Sequence, residues 1–293
     1  MASYLMNILV LFSINAILAM TLNFIMGYAG IFSLAHAIFF GVGAYTASYV
    51  AIHYTDSLLI CMTAAILLSA VLSMALALPA LRVRGEYFVA ASLGLQVIGV
   101  TIFSEWHSVT GGLSGMVGIP PPTLFGFTFT DQAHFALLSV TAMLAILGIV
   151  ALLVRGSFGR SLMAIRDSES ATQAYGKNVQ AVKTLSVAVS AGLASVGGTI
   201  YAFYMSFVNV EGFMLDASIL LMAMVIIGGT GTLLGPIVGA ALLMALPAAL
   251  TYLPFLPSEE LGTVQQMIYG AAMVLLMMFR PGGLVGKRKG KTA

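Results

Sequence analysis

Residues 133–154 read AHFALLSVTAMLAILGIVALLV, a run without a single Asp, Glu, Lys or Arg, and Arg155 follows it directly. A helix rises about 1.5 Å per residue and the hydrocarbon core of a bilayer is about 30 Å thick, so about 20 apolar residues cross it. The charge stands at the end of this run and not along one face. The run therefore reads as a membrane span entering a charged loop. The rest of the chain has the same character: of 293 residues 60% are hydrophobic and 8% charged, and the mean hydropathy is +1.04. A water-soluble domain carries roughly 25% charged residues to hydrate its surface. A soluble helical bundle is excluded, because most segments here lack the polar face that each helix would need.

Outward from this span, apolar runs between turn signals predict spans near 4–26, 31–52, 58–81, 87–104, 184–207, 216–228, 232–253 and 264–279. With 133–154 the expectation is an all-α integral membrane bundle of nine spans, or eight if 216–228, which is short and ends in Gly228-Gly229-Thr230-Gly231, is re-entrant. All 12 Lys and Arg fall in three stretches: Arg82 and Arg84; Arg155 to Lys183; and Arg280 to Lys291. The positive-inside rule makes all three cytoplasmic. Even numbers of spans separate them, so spans and charges agree. The remaining loops carry Asp56, Glu105, Asp131, Glu211, Asp216, Glu259 and Glu260 and no Lys or Arg. The N-terminus is thus expected outside and the basic tail, 280–293, inside. Apolar sequence begins at Tyr4 without the basic region and cleavage site of a signal peptide. Spans one to four and six to nine run in opposite senses, which permits an inverted repeat.

The charged loop after the first-quoted span covers 155–183. Gly156 and Gly159 read as stop signals for the preceding helix. Asp167 or Ser168 can cap a short new helix with Glu169 in its first turn. Ala171, Ala174 and Tyr175 then share a face, and Gly176 suits the left-handed residue that ends it. Such a helix is either an ordinary loop helix or a rigid peg for a groove in a soluble partner.

The run Gly159-Arg160-Ser-Leu-Met-Ala164-Ile165-Arg166-Asp167-Ser-Glu169-Ser-Ala171-Thr-Gln-Ala174-Tyr-Gly176-Lys-Asn178-Val179 resembles the coupling loop of ABC-importer permeases. More narrowly it resembles the branched-chain amino-acid group. Further stretches are similar to the M-type subunit of that group: Gly27-Tyr28-Ala29-Gly30 through Ser33-Leu34-Ala35-His36; Leu81-Arg82-Val83-Arg84-Gly85-Glu86-Tyr87-Phe88; Thr110-Gly111-Gly112 through Gly118-Ile119-Pro120; Gly228 to Pro236; and Phe279-Arg280-Pro281-Gly282-Gly283-Leu284. They cover nearly the whole chain in the expected order. Ser170, Thr172 and Leu113-Ser114 depart from the pattern. The resemblance implies a single permease domain over 1–293. It also implies a second, homologous permease as heterodimer partner, two cytoplasmic ATPases and an extracytoplasmic substrate-binding protein. Gly159, Arg160, Ala164, Arg166, Asp167, Glu169, Ala171, Ala174 and Gly176 would form its ATPase-coupling loop. The chain has no Gly-x-x-x-x-Gly-Lys-Ser/Thr phosphate loop, so no cofactor is expected on it and ATP would be hydrolysed by the partner subunits.

Within the spans the polar side chains Asn15, Asn23, Ser33, His36, Ser92 and Gln96 either bond neighbouring helices or line a translocation path. His36 reads as a partnered structural imidazole in preference to a proton relay. The four His are scattered, which argues against a metal centre or a membrane enzyme. Secondary carriers place acidic or Arg groups inside the membrane, and no span shows one. The expected cargo is a branched-chain or similar hydrophobic amino acid. The alternatives are urea, an amide or another small solute in the same importer class, and an ion-coupled secondary carrier. The Lys287-Arg288-Lys289 tail reads as an anchor to anionic lipid, not to nucleic acid.

Overall fold

The computed structural model describes residues 2–80, 86–124, 126–250, 267–268, 270–271, 274–275, 278 and 282–286. Its long helices are α1 (Ala2–Asn23), α2 (His36–His53), α3 (Leu58–Ala80), α4 (Glu86–Glu105), α6 (Gln132–Arg155), α9 (Val179–Met205), α10 (Leu215–Gly228) and α11 (Gly235–Leu250). Short helices α5 (His107–Thr110), α7 (Ser157–Asp167) and α8 (Glu169–Ala174) lie in the loops. Among the described residues, five helices are long and apolar enough to cross a membrane, those beginning at Ser3, Leu58, Tyr87, Gln132 and Val179. The expected span at 264–279 lies largely outside the described residues, as do Arg82 and Arg84.

Two helices are the spine of the bundle. α9 is mostly buried and carries α2 and α3 along its length, while α1 carries α6, α10 and α11. In lipid no hydrophobic force drives helices together, so close packing of small residues and interhelical hydrogen bonds must do it. Both occur. A Cβ on Gly43 would meet Ser195 Cα at 2.5 Å, and one on Gly198 would overlap the Phe40 carbonyl, so α2 and α9 touch backbone to backbone. Ser69 Oγ donates to Ala191 O (3.0 Å), and Ser190 Oγ to Thr21 O (2.7 Å), tying α3 and α1 to α9. Cys61 is buried, as expected of a small apolar side chain.

Two breaks depart from the apolar reading. The expected span 31–52 begins as a helix only at His36. Residues 30–35 are irregular: Gly30 turns the chain at φ +71°, and Leu34 N–H is taken by Ser92 Oγ on α4 at 3.0 Å. Apolarity over so few residues does not distinguish helix from irregular chain. The expected span 184–207 instead starts at Val179, capped by Asn178 Oδ1 accepting from Ala181 N (3.0 Å), and stops at Ser206, φ 53°. The chain then folds inward. Phe213 is fully buried among Phe40, Tyr45, Phe103 and Tyr201, and α10 starts from there. The first turns of α2 and α10 consequently meet inside the bundle, Ala37 N donating to Ser218 Oγ at 3.0 Å.

At the end of the bundle away from α7 and α8, β1 (Met116–Val117) pairs antiparallel with β4 (Phe207–Val208), and β2 (Thr123–Leu124) with β3 (Phe127–Thr128). The β1–β4 ladder closes the loop that follows α5 onto the α9–α10 connection, while β2 and β3 form a hairpin within that loop.

Candidate functional site

The loop after α6 is two helices, not one. Gly156 breaks α6, but Gly159 does not end a helix. It lies buried inside α7, where a Cβ would overlap the Val154 carbonyl, so its reading as a stop signal is corrected to a packing position. α7 turns Leu162 and Ile165 inward and leaves Arg160, Ala164 and Asp167 exposed. Phe158 stacks on Phe24, ring centroids 6.3 Å apart. The second helix starts as the sequence suggests: Ser168 is extended and its Oγ accepts from Ala171 N (3.3 Å). Glu169 stands in the first turn of α8 and Gly176 is left-handed at φ +78°.

On α8, Ala171, Ala174 and Tyr175 are exposed, Tyr175 at 89%. Thr172 turns inward and its Oγ1 bonds Ser168 O (2.8 Å), which accounts for a hydroxyl where an apolar residue is usual. Ser170 is exposed. Lys183 Nζ reaches Glu169 Oε2 at 2.8 Å. The result is a peg with a bare, small-residue face and an aromatic tip, held from behind by α7 and α9.

Behind the peg, three motifs distant in sequence come together. α1 continues past Asn23 as a π-helical turn, Phe24–Tyr28. Arg166 on α7 donates through Nη1 to Gly27 O (2.8 Å) while its Nη2 meets Asp167 Oδ1 (3.1 Å). Gly30 is required here: beyond its positive φ, a Cβ would come within 2.9 Å of Arg166 Cγ. Asn23 bridges to the α10–α11 loop, Oδ1 accepting from Gly231 N (2.9 Å) and Nδ2 donating to Thr232 O (2.8 Å). On the other side of that loop, Leu284 N and Val285 N donate to Ile227 O and Gly228 O at 3.0 Å, supplying partners to carbonyls that the α10 C-terminus leaves open. The Gly27–Gly30, Gly228–Gly231 and Gly282–Leu284 motifs are therefore one junction under the peg. The Thr110–Pro120 motif lies at the opposite end, and 81–85 lie outside the described residues.

The residues read as path-lining are dispersed along the bundle. Asn15 Nδ2 bonds Leu11 O on its own helix (2.9 Å). Ser33 Oγ accepts from Ala35 N (3.3 Å). His36 Nε2 pairs with Thr21 Oγ1 (3.0 Å). Gln96 Nε2 donates to Phe213 O (2.7 Å) and its Oε1 lies 3.5 Å from Ser218 Oγ. Gln96 and Ser218 gather where the first turns of α2 and α10 meet. Ser218 went unread in the sequence, being one hydroxyl in an apolar run. A cavity of about 640 Å³ opens at the far end, lined in part by Tyr4, Asn7, Phe129, Gln132, Phe135 and Tyr204. Tyr204 Oη donates to Asn7 Oδ1 there (2.8 Å).

Apolar helices of spanning length, with a charged helical peg at one end of the bundle, define a multi-pass, all-α membrane protein. Residues 4–277 match the family described as branched-chain amino acid transport system / permease component, and the chain belongs to that family. The high-affinity branched-chain amino acid transport system permease protein LivM of Escherichia coli is 28% identical over 95% of this chain and 69% of its own length. LivM of Salmonella typhimurium is 29% identical, over 93% and 68%. The ribose import permease protein RbsC of Haemophilus influenzae is 25% identical over 97% of this chain and 86% of its own length. No solved structure matches the chain.

Proposed function

We propose that this chain is the permease subunit through which an ATP-driven importer moves branched-chain or similar hydrophobic amino acids across the bacterial inner membrane. The observation that carries the reading is the α7–α8 peg. Its exposed Ala171, Ala174 and Tyr175 lie outward. Arg166 fastens it to Gly27 past the end of α1 and Glu169 fastens it to Lys183 near the start of α9, while Asn23 ties α1 to the neighbouring 229–232 loop. A peg so fastened can take a push from a soluble ATPase and deliver it to the bundle. As the family resemblance implies, the energy comes from two cytoplasmic ATPases; residues 1–293 carry no phosphate loop of their own. A second, homologous permease completes the membrane part, and an extracytoplasmic binding protein delivers cargo.

In this reading 1–293 is one permease domain of eight or nine spans. The loop 155–183 and tail 280–293 face the cytoplasm, the N-terminus faces out, and the Lys- and Arg-rich tail meets anionic lipid. An inverted repeat is supported by packing: α2 and α3 lie on α9 as α10 and α11 lie on α1, and both α2 and α10 begin after an irregular inward stretch. Path residues are Asn15, Ser33, His36 and Gln96, with Ser218 added.

A second reading, import of a sugar or other small polar solute, is favoured by the ribose permease, which aligns along almost the whole chain. The test is to purify the chain from its native membrane with what it binds, reconstitute the assembly, and measure uptake of labelled leucine and of ribose. Recovery of two ATPases and a second permease, with ATP-dependent leucine uptake, supports the first reading. Ribose uptake selects the second. Uptake that survives ATP depletion and collapses with a protonophore overturns both.

A further inference from the structure

We infer that Asn23 is a positioning residue of transport, not a lining of the path: its amide joins the inner end of α1 to the 229–234 loop, so that movement of α7 is delivered to α10. This rests on the reading of α7 and α8 as the ATPase-coupling element. Asn23 is 2% exposed, and both ends of its side chain are spent on the loop, one accepting from Gly231 N and the other donating to Thr232 O. A side-chain amide carries its acceptor and its donors on separate atoms, so it can bond Gly231 N and Thr232 O at once. Buried to this degree, it presents almost no surface to cargo. The backbones here are already in contact, since a Cβ on Gly27 would overlap Gly231 N.

The neighbours of Asn23 give the joint a direction. Four residues on, Gly27 O receives Arg166 Nη1, so the π-helical turn 24–28 is pinned at one end by the peg and at the other by the loop. π-Helical turns are uncommon and occur frequently at functional sites. From the loop α10 runs into the bundle, and near its far end Ser218 Oγ holds Ala37 N of α2 and lies against Gln96 of α4. A short rigid helix fixed at both ends carries a displacement from one end to the other. Arg166, Gly27, Asn23, Gly231, α10 and Ser218 form one continuous run of contacts from the peg to the middle of the bundle.

The experiment uses the complete importer in proteoliposomes, with ATP hydrolysis and cargo uptake measured on one preparation. Wild type comes first: absence of ATP-driven uptake of leucine, ribose, urea and a small amide alike would overturn the coupling reading itself, whatever the variants do. With uptake established, Asn23→Leu and the size-matched Asn23→Asp are expected to assemble with the ATPases and hydrolyse ATP while moving about tenfold less cargo per ATP, the scale on which one or two buried hydrogen bonds bias an equilibrium. Arg166→Gln should lower the same ratio, and the double variant should be no worse than the poorer single, because both act through one joint. Unchanged cargo per ATP in both Asn23 variants overturns the inference. So does a parallel fall of hydrolysis and uptake, or failure of both variants to insert, either of which would mark Asn23 as a purely structural residue.

Discussion

Lys183 Nζ sits 2.8 Å from Glu169 Oε2, so the second turn of α9 holds the first turn of α8. The two side chains are 16% and 35% exposed, Lys183 being the better covered. A partly exposed pair contributes about 1 kcal/mol or less, too little to matter to the fold of the whole bundle. Its effect is local: it ties the start of α8 to α9.

Glu169→Lys should therefore leave membrane insertion and thermal stability near wild type while abolishing transport. The exchange Glu169→Lys with Lys183→Glu should restore transport in part. Uptake by reconstituted complexes, with insertion checked by membrane fractionation, reads both. Normal transport by Glu169→Lys alone would remove the peg from the mechanism.

Tyr175, 89% exposed, makes no stabilising contact that its loss could cost. Exposed aromatics that fill a partner's pocket commonly contribute about 2 kcal/mol or more to association. Tyr175→Ala is expected to melt at the wild-type temperature and to bind the ATPase about tenfold or more weakly, measured by titration of the purified subunits in detergent.

Gly176 stands at φ +78° with open space around it. A Cβ there clashes with nothing, so Gly176→Ala should cost only about 1 kcal/mol of local conformational strain. Gly176→Asp adds a charge beside the exposed face of Ala171, Ala174 and Tyr175, and the expected result is normal insertion with no transport. Comparing uptake by the two variants separates backbone strain from surface charge.

Gly198→Leu tests the α2–α9 contact. With Phe40 O and Ala44 N against the missing side chain, the helices must separate. Overpacking of a close contact costs typically about 1–3 kcal/mol and occasionally more. A clear fall in melting temperature in detergent is expected, without selective loss of ATPase binding. Gly94→Leu, where nothing lies within 4 Å, should be tolerated.

Much of the peg was legible because its signals are local. Ser168 as cap, Glu169 in the first turn and Gly176 as left-handed terminator depend only on neighbours a few residues away, and the structure has all three. Gly159 was misread for the opposite reason. A glycine that ends a helix and one that lets a helix pass a carbonyl look alike until the carbonyl of Val154 is in place. The breaks at 30–35 and 206–214 were hidden too, since an apolar segment satisfied by Ser92, or buried with Phe213, has the same hydropathy as a helical one.

By itself the sequence determined that this chain lives in lipid and where its main helices fall. It also marked out a charged helical loop, because solvation cost and helix length follow directly from composition. Only the tertiary structure decided what Asn23, Gly27, Arg166 and Gly231 do. Asn23 and Gly231 are 208 residues apart, and an amide that completes a loop's hydrogen bonds differs from one that faces a path only in what folding brings beside it.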